Sequence, residues 1–287
     1  MDADNRMSVA FFGVRGSRPV PDARFLAFGG NSSCVGVSAG GARLVLDAGS
    51  GIANVPRAYW ASGATHVFLS HLHHDHIAGL MFYGALYEAG CKVFVYVPAA
   101  VGDGSLESYW RAPYFPVPLG QTLADVRVVK VEEGAPTEVG DGVPASGRKT
   151  VGDRLVVEGR ILGERVHPNS GVAVYRVSDG RRSLVYATDV ELADDASKAA
   201  VAGFAQGADL LILDAHFTDE EYRSCAGWGH NSVGMALEVA EMARCGRVVL
   251  FHHHPLRDDA RMAALEEDAV RRHPRARAAR EGDLIVL

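Results

Sequence analysis

Short apolar runs recur along this chain, most of them bounded by glycine, aspartate or serine. The first series is SVAFFG (8–13), CVGVS (34–38), RLVLD (43–47), HVFLS (66–70) and KVFVYV (92–97). The second is VAVYRV (172–177), SLVYAT (183–188), DLLIL (209–213), RVVLF (247–251) and LIVL (284–287). Runs of this length, rich in Val and Ile, are the pattern of buried sheet strands. Between them, apolar positions three and four apart predict helices at about 76–89, 192–206, 231–244 and 258–272. The segment VGMALEVAEMARCG reads as an amphipathic helix that stops at Gly246, just before the next strand. The first half is strand-rich at hairpin spacing, and the second half repeats the plan with more helix. This predicts two sheets packed face to face with helices outside, in one domain spanning 1–287. Only 100–165 breaks the rhythm. Its stretches DGSLESYWRAPYFPVPLG and EEGAPTEVGDGVPASG predict a long surface excursion that walls a pocket.

Composition narrows the class. A chain of 287 residues, 48% hydrophobic, has ample core for such a fold. Its formal net charge of −6 has the wrong sign for gripping a polyanion, so long nucleic acid is disfavoured as a partner. RRHPRARAAR (271–280) is the local exception, and it reads as a solvated segment before the last strand. No apolar run reaches membrane-spanning length, and the N-terminus is acidic rather than basic. Cys34, Cys91, Cys225 and Cys245 are scattered without a CxxC pair, as expected of reduced thiols in a cytoplasmic protein.

The chemistry concentrates in SHLHHDHIAGL (70–80), directly after an apolar run. In an extended exit from a strand, His71 and His73 fall on one side and can reach one ion together. Asp75 and His76 sit where the chain turns, aimed at a second position, while His74 points away. Six residues cannot enclose a metal, and the missing ligand types stand at later strand ends: His167 in ERVHPNSG, Asp189 in VYATDVE and His252 in VVLFHHHP. One aspartate shared by two ions is what a dinuclear site needs. On that reading His71, His73, His167 and Asp189 hold one ion, and Asp75, His76, Asp189 and His252 hold the other. Imidazoles and carboxylates without cysteine suit Zn²⁺, with Mn²⁺ and Fe²⁺ left open.

These residues resemble the metallo-β-lactamase superfamily, whose signature is His-x-His-x-Asp-His, and within it the branch holding ribonuclease Z and small-molecule phosphodiesterases. The likeness runs from FFGVRGSRP, FGGNSSC and LDAGSGI through SHLHHDH and ATDVE to LILDAHFTDEEY, GWGHNS and LFHHHP. It implies an αββα sandwich of the α/β class. It also implies that Asp47 supports the histidine loop, that His230 is a catalytic histidine oriented by Asp214, and that Asp75 belongs to the reacting centre. Arg15, Asn31 and Ser32 lie in loops that face the pocket in this branch, which makes them substrate-contact candidates. Tyr114 and Phe115, with Trp110, either wall the pocket and stack on a base or belong to the core or a subunit contact, and a homodimer is an open expectation. Ribonuclease Z commonly carries a tRNA-clamping arm between its third-motif histidine and bridging aspartate. Here only 21 residues separate His167 from Asp189. The expected function is therefore a dinuclear metal phosphodiesterase for a small phosphodiester such as a cyclic nucleotide. The alternatives are a tRNA 3′-processing nuclease, a hydrolase of a lactone or thioester, and a non-catalytic metal-binding sensor.

Overall fold

In the computed structural model, which describes residues 6–100, 105–140 and 154–287, the apolar runs pair into two seven-stranded sheets. Strands are numbered in chain order. The first sheet joins β1 (Ser8–Gly13), β2 (Cys34–Ala39), β3 (Ala42–Leu46), β4 (Ala64–Phe68), β5 (Lys92–Pro98) and β6 (Asp125–Val131), with β14 (Leu284–Val286) outside β1. The second joins β7 (Thr137–Val139), β8 (Leu155–Leu162), β9 (Val172–Ser178), β10 (Ser183–Ala187), β11 (Leu210–Asp214), β12 (Arg247–Phe251) and β13 (Ala276–Ala278). Each sheet is mixed. β1 to β3 run antiparallel and β3 to β6 parallel; β7 to β10 run antiparallel and β10 to β13 parallel. The parallel parts matter most, because parallel neighbours end side by side and gather the loops after them at one rim.

One apolar layer lies between the sheets and takes Phe11, Leu44 and Phe68 from the first, and Tyr175, Tyr186 and Phe251 from the second. The helices α3 (Asp195–Phe204), α5 (Val233–Ala243) and α6 (Asp259–Arg272) cover the outer face of the second sheet. Side-chain caps from Asp194, Ser232 and Asp258 begin these three helices, each accepting from the backbone N–H three residues on. The outer face of the first sheet is covered differently. The helix expected at 76–89 is instead the single turn α1 (His74–Ile77), followed by 3₁₀ turns at Leu80–Phe82 and Gly84–Tyr87. The reason is a competing set of hydrogen bonds. Ala48 N donates to His76 O (2.7 Å) and Gly79 N to Ala48 O (2.9 Å), so the segment is tied sideways to the loop after β3. Leu80, Met81, Tyr83 and Leu86 are still buried, which is why the sequence mimics an amphipathic helix.

The excursion expected at 100–165 is corrected too. Residues 101–104 and 141–153 lie outside the described residues, but β6, β7 and all of β8 fall in this span and extend both sheets. β6 escaped notice because DVRVVKV is an edge strand, with charged side chains where a central strand would be apolar. Only parts of this span, such as Ser105 and Tyr109 of α2 (Ser105–Tyr109), border a cavity near the histidines. The arginine run is likewise structured, holding the end of α6 and then β13. No helix among the described residues is long and apolar enough to cross a membrane.

Candidate metal centre

At the rim, β3 is followed by Asp47, whose backbone is left-handed with φ +59°. This turns its carboxylate back beneath the histidine loop. It accepts from Ser70 N (2.7 Å), Ser70 Oγ (2.9 Å), His76 Nδ1 (2.7 Å) and Tyr186 OH (2.7 Å). Ser70 Oγ, its proton spent on Asp47, takes the Nδ1–H of His71 at 3.0 Å. The Gly229 carbonyl takes that of His167 at 3.2 Å. Three imidazoles thus spend Nδ1 on the scaffold and keep the Nε2 lone pair for the centre. Asp189 after β10 (φ +54°) and His252 after β12 (φ +62°) are also left-handed. The parallel strand ends β10, β11 and β12 therefore deliver Asp189, Asp214 and His252 side by side.

Three groups of potential ligand atoms result, each within 4.8 Å: His71, His73 and His167; Asp75, His76, Asp189 and His252; and His216, His230 and His252. Asp189 spans the first two. Its Oδ1 is 3.8 Å from His71 Nε2 and 3.9 Å from His167 Nε2, while its Oδ2 is 3.0 Å from His76 Nε2 and 3.2 Å from His252 Nε2. Asp75 Oδ2 faces His252 Nε2 at 3.1 Å and accepts from the Ser17 backbone N–H at 2.6 Å. The side chains named for each ion thus lie close together, with Asp189 between the two groups, and His74 turns outward to Tyr109 OH at 2.7 Å.

The donor set fits divalent cations. His71 Nε2 is buried without a hydrogen-bond partner. His73 Nδ1 and His167 Nε2 face one another at 2.9 Å, and His76 Nε2 and His252 Nε2 at 3.3 Å. Opposed imidazole nitrogens attract only through a shared proton or cation. Among the described residues, the ion-pair partners of Asp47, Asp75, Asp189 and Asp214 are all histidines. Burial works against the charged form of Asp189, yet His252 and His76 hold it well below the usual carboxylate range. Burial likewise opposes a charged His76, and Asp189, Asp75 and Asp47 push it up regardless. His71 and His167 are pushed down by burial, His167 to about 4, so both are poised as neutral ligands.

Beside this cluster, His230 Nδ1 lies 2.8 Å from Asp214 Oδ2 and 3.9 Å from Asp189 Oδ1. Asp214 is completely buried and also accepts from the backbone N–H groups of Asp189, His216 and Asn231, each at 3.1 Å. Burial lowers His230, but the charge and hydrogen bond of Asp214 outweigh it and the pKa rises to about 9. His216 supports the pair, stacking on His230 at 4.5 Å between ring centroids and donating through Nδ1 to His252 O.

The substrate-contact candidates fare differently. Arg15 is fully buried, with its guanidinium on the carbonyls of Gly29 (2.7 Å) and Arg257 (2.8 Å) and over the Phe25 ring. Asn31 is tied to Glu281 and Ser50, and Ser32 Oγ to the Ser50 N–H. These contacts are made within the protein, although one guanidinium nitrogen of Arg15, Nη2, is buried without a hydrogen-bond partner. Trp110 is core. Tyr114 and Phe115 border a cavity of about 480 Å³ with His74 and Phe82, and Tyr114 is 80% exposed. Tyr109 separates it from a second cavity of about 600 Å³ that reaches His71. Tyr186 and the Ser17 backbone were not foreseen. The only signal for Tyr186 is a hydroxyl inside the apolar stretch 184–187.

With this geometry in hand, the comparison with known families is decisive: residues 42–253 match the Beta-lactamase superfamily domain. The chain belongs to this superfamily. It is a metal-dependent hydrolase with the metallo-β-lactamase fold, and the fold implies divalent metal ions at the His/Asp cluster. Among curated relatives, a ribonuclease Z of Haloarcula marismortui is 25% identical, covering 86% of this chain and 86% of its own. Among solved structures, the metallo-β-lactamase fold protein YhfI from Bacillus subtilis superposes with a TM-score of 0.69 at 20% identity, covering 99% and 100% of the two chains. A diphosphatase from the PhnP family reaches 0.65 at 17% identity, covering 98% and 97%.

Proposed function

We propose that this metallo-β-lactamase-fold hydrolase is a phosphodiesterase acting on a small phosphodiester, of the size of a cyclic nucleotide, with two divalent ions, zinc in the first instance. His71, His73, His167 and Asp189 would hold one ion, and Asp75, His76, Asp189 and His252 the other. When bound, such ions supply a nucleophile at neutral pH and neutralise charge on the phosphoryl oxygens. The observation that carries the reading is the buried Asp214–His230 pair at 2.8 Å beside Asp189. A phosphodiester expels an alkoxide, which needs a proton. Asp214 holds His230 by Nδ1, keeps the ring protonated near neutral pH and leaves Nε2 as the nitrogen that hands the proton over. A carbonyl substrate such as a lactone has less use for this pair.

Small substrate size is supported by the His167–Asp189 connection, which is spent on the β9–β10 hairpin and leaves no length for a clamping arm. The net charge of −6 agrees. The second reading, tRNA 3′ processing, is favoured by the ribonuclease Z relatives. A turnover panel of bis(4-nitrophenyl) phosphate, cyclic nucleotides, a lactone and pre-tRNA separates them. Turnover of small phosphodiesters well above pre-tRNA is expected. Efficient, salt-sensitive cleavage at a tRNA 3′ end would reverse the order. Within the panel, His230→Ala should keep its metal and lose about 10²–10⁴-fold on an alkyl phosphodiester, and much less on a nitrophenyl ester.

A further inference from the structure

The loop that carries His230 should be floppy. It follows α4 (Asp219–Cys225) and includes two left-handed glycines, Gly227 at φ +88° and Gly229 at φ +85°. Glycine at 229 is demanded by packing as well, because a Cβ there would lie 2.6 Å from His167 Nδ1. Such a loop could swing His230 off Asp214 and withdraw the Gly229 carbonyl from His167. What holds it is a buried carboxylate two residues after Asp189. Glu191 is 6% exposed. Its Oε1 accepts from Gly227 N and Tyr222 OH, and its Oε2 from Gly229 N, all at 2.7 Å. Its backbone N–H donates to Val166 O (2.9 Å), and the next N–H, of Leu192, goes to Asn231 Oδ1 (2.8 Å). Four residues, 189–192, therefore bind the shared aspartate to the loops of His167 and His230.

We infer that Glu191 is the positioning residue for the leaving-group histidine, acting through the backbone N–H groups of Gly227 and Gly229. The inference rests on the phosphodiesterase reading of His230. Two convergent N–H groups in left-handed turns form an anion-binding nest, and hydrogen bonds to a carboxylate are roughly twice as strong as neutral ones. Glutamine cannot replace it. A side-chain amide has one oxygen, so its NH₂ would face a backbone donor and leave that donor buried and unpaired.

The test uses Glu191→Gln and Glu191→Asp, with His230→Ala as reference, all with metal in excess. Metal content, melting temperature, kcat and KM are measured on an alkyl phosphodiester and on bis(4-nitrophenyl) phosphate. Glu191→Gln should keep the wild-type metal content and KM, and lose about 10–100-fold in kcat on the alkyl substrate, the range for a lost supporting contact. Its loss on the nitrophenyl ester should be under about a tenth of that, since nitrophenolate leaves without a proton. Glu191→Asp keeps the charge one methylene shorter and should fall between wild type and Glu191→Gln. It also carries the test if the glutamine variant does not fold. Equal losses on both substrates, tracking melting temperature or metal content, would make Glu191 a structural residue and overturn the proposal. So would full alkyl activity in Glu191→Gln while His230→Ala is inactive. If His230→Ala itself shows no preference for the better leaving group, the reading of His230 fails, and the proposal falls with it.

Discussion

The two ligand groups that share Asp189 are unequal. Asp75, His76, Asp189 and His252 are all buried, and His76 is held by Asp47, which Ser70 and Tyr186 hold in turn. In the other group His71 and His167 are buried, but His73 is exposed, its Nδ1 faces the centre, and no carboxylate among the described residues is hydrogen-bonded to its ring. A ligand fixed by a second layer of hydrogen bonds loses less freedom on binding an ion. The difference teaches that one position belongs to the scaffold, while the other is assembled partly by a side chain in contact with solvent.

The largest effect should come from removing what the two positions share. Asp189→Ala should take ion content from two towards none, and turnover down by about 10³-fold or more, several kcal/mol of lost charge stabilisation. Elemental analysis beside the rate measurement checks this, and two ions in a fully active variant would dissolve the comparison.

A smaller effect separates the positions. Graded chelation should empty the His71–His73–His167 position first, and His73→Ala should abolish that first phase only. Asp47→Asn should weaken the buried position by about 10–100-fold and shrink the gap between phases. One unsplit phase in the wild type, insensitive to either substitution, would mean that the two positions are equivalent.

The smallest effect lies away from the rim. His66 hydrogen-bonds Tyr96 OH and stacks on Phe94, and burial lowers its pKa to about 4. The unfolded chain takes up this proton near pH 6.5, before the folded chain does, so stability is full above that value. It drains away as pH falls towards 4. Urea titrations across that window should show a shallower acid loss in His66→Phe than in the wild type. Parallel curves would leave the acid sensitivity entirely to the histidine cluster.

Much of this was legible in the sequence for a simple reason. Central strands are apolar on both faces, so RLVLD, DLLIL and RVVLF announce themselves, and ligands follow where such runs stop. What stayed hidden is what depends on partners far away in sequence. β6 and β13 are edges whose charged residues look like surface. The 76–89 segment has a helical pattern but gives its hydrogen bonds to the loop at Ala48. Arg15 looks like a phosphate grip until Gly29 and Arg257 are seen to occupy it. Glu191 is one more acid after a strand, and only the fold brings Gly227 and Gly229 to it.

The left-handed backbones of Asp47, Asp189 and His252 carry a consequence for how such a chain can change. A non-glycine residue in that conformation costs about 1 kcal/mol or more, most for a bulky ring. Glycine at these strand ends would relieve the backbone and empty the rim, but at 47 it would also leave Ser70, His76 and Tyr186 without their shared acceptor. In a descendant released from catalysis, glycine at 189 or 252 would be the early mark of retirement, ahead of any change in the sheets.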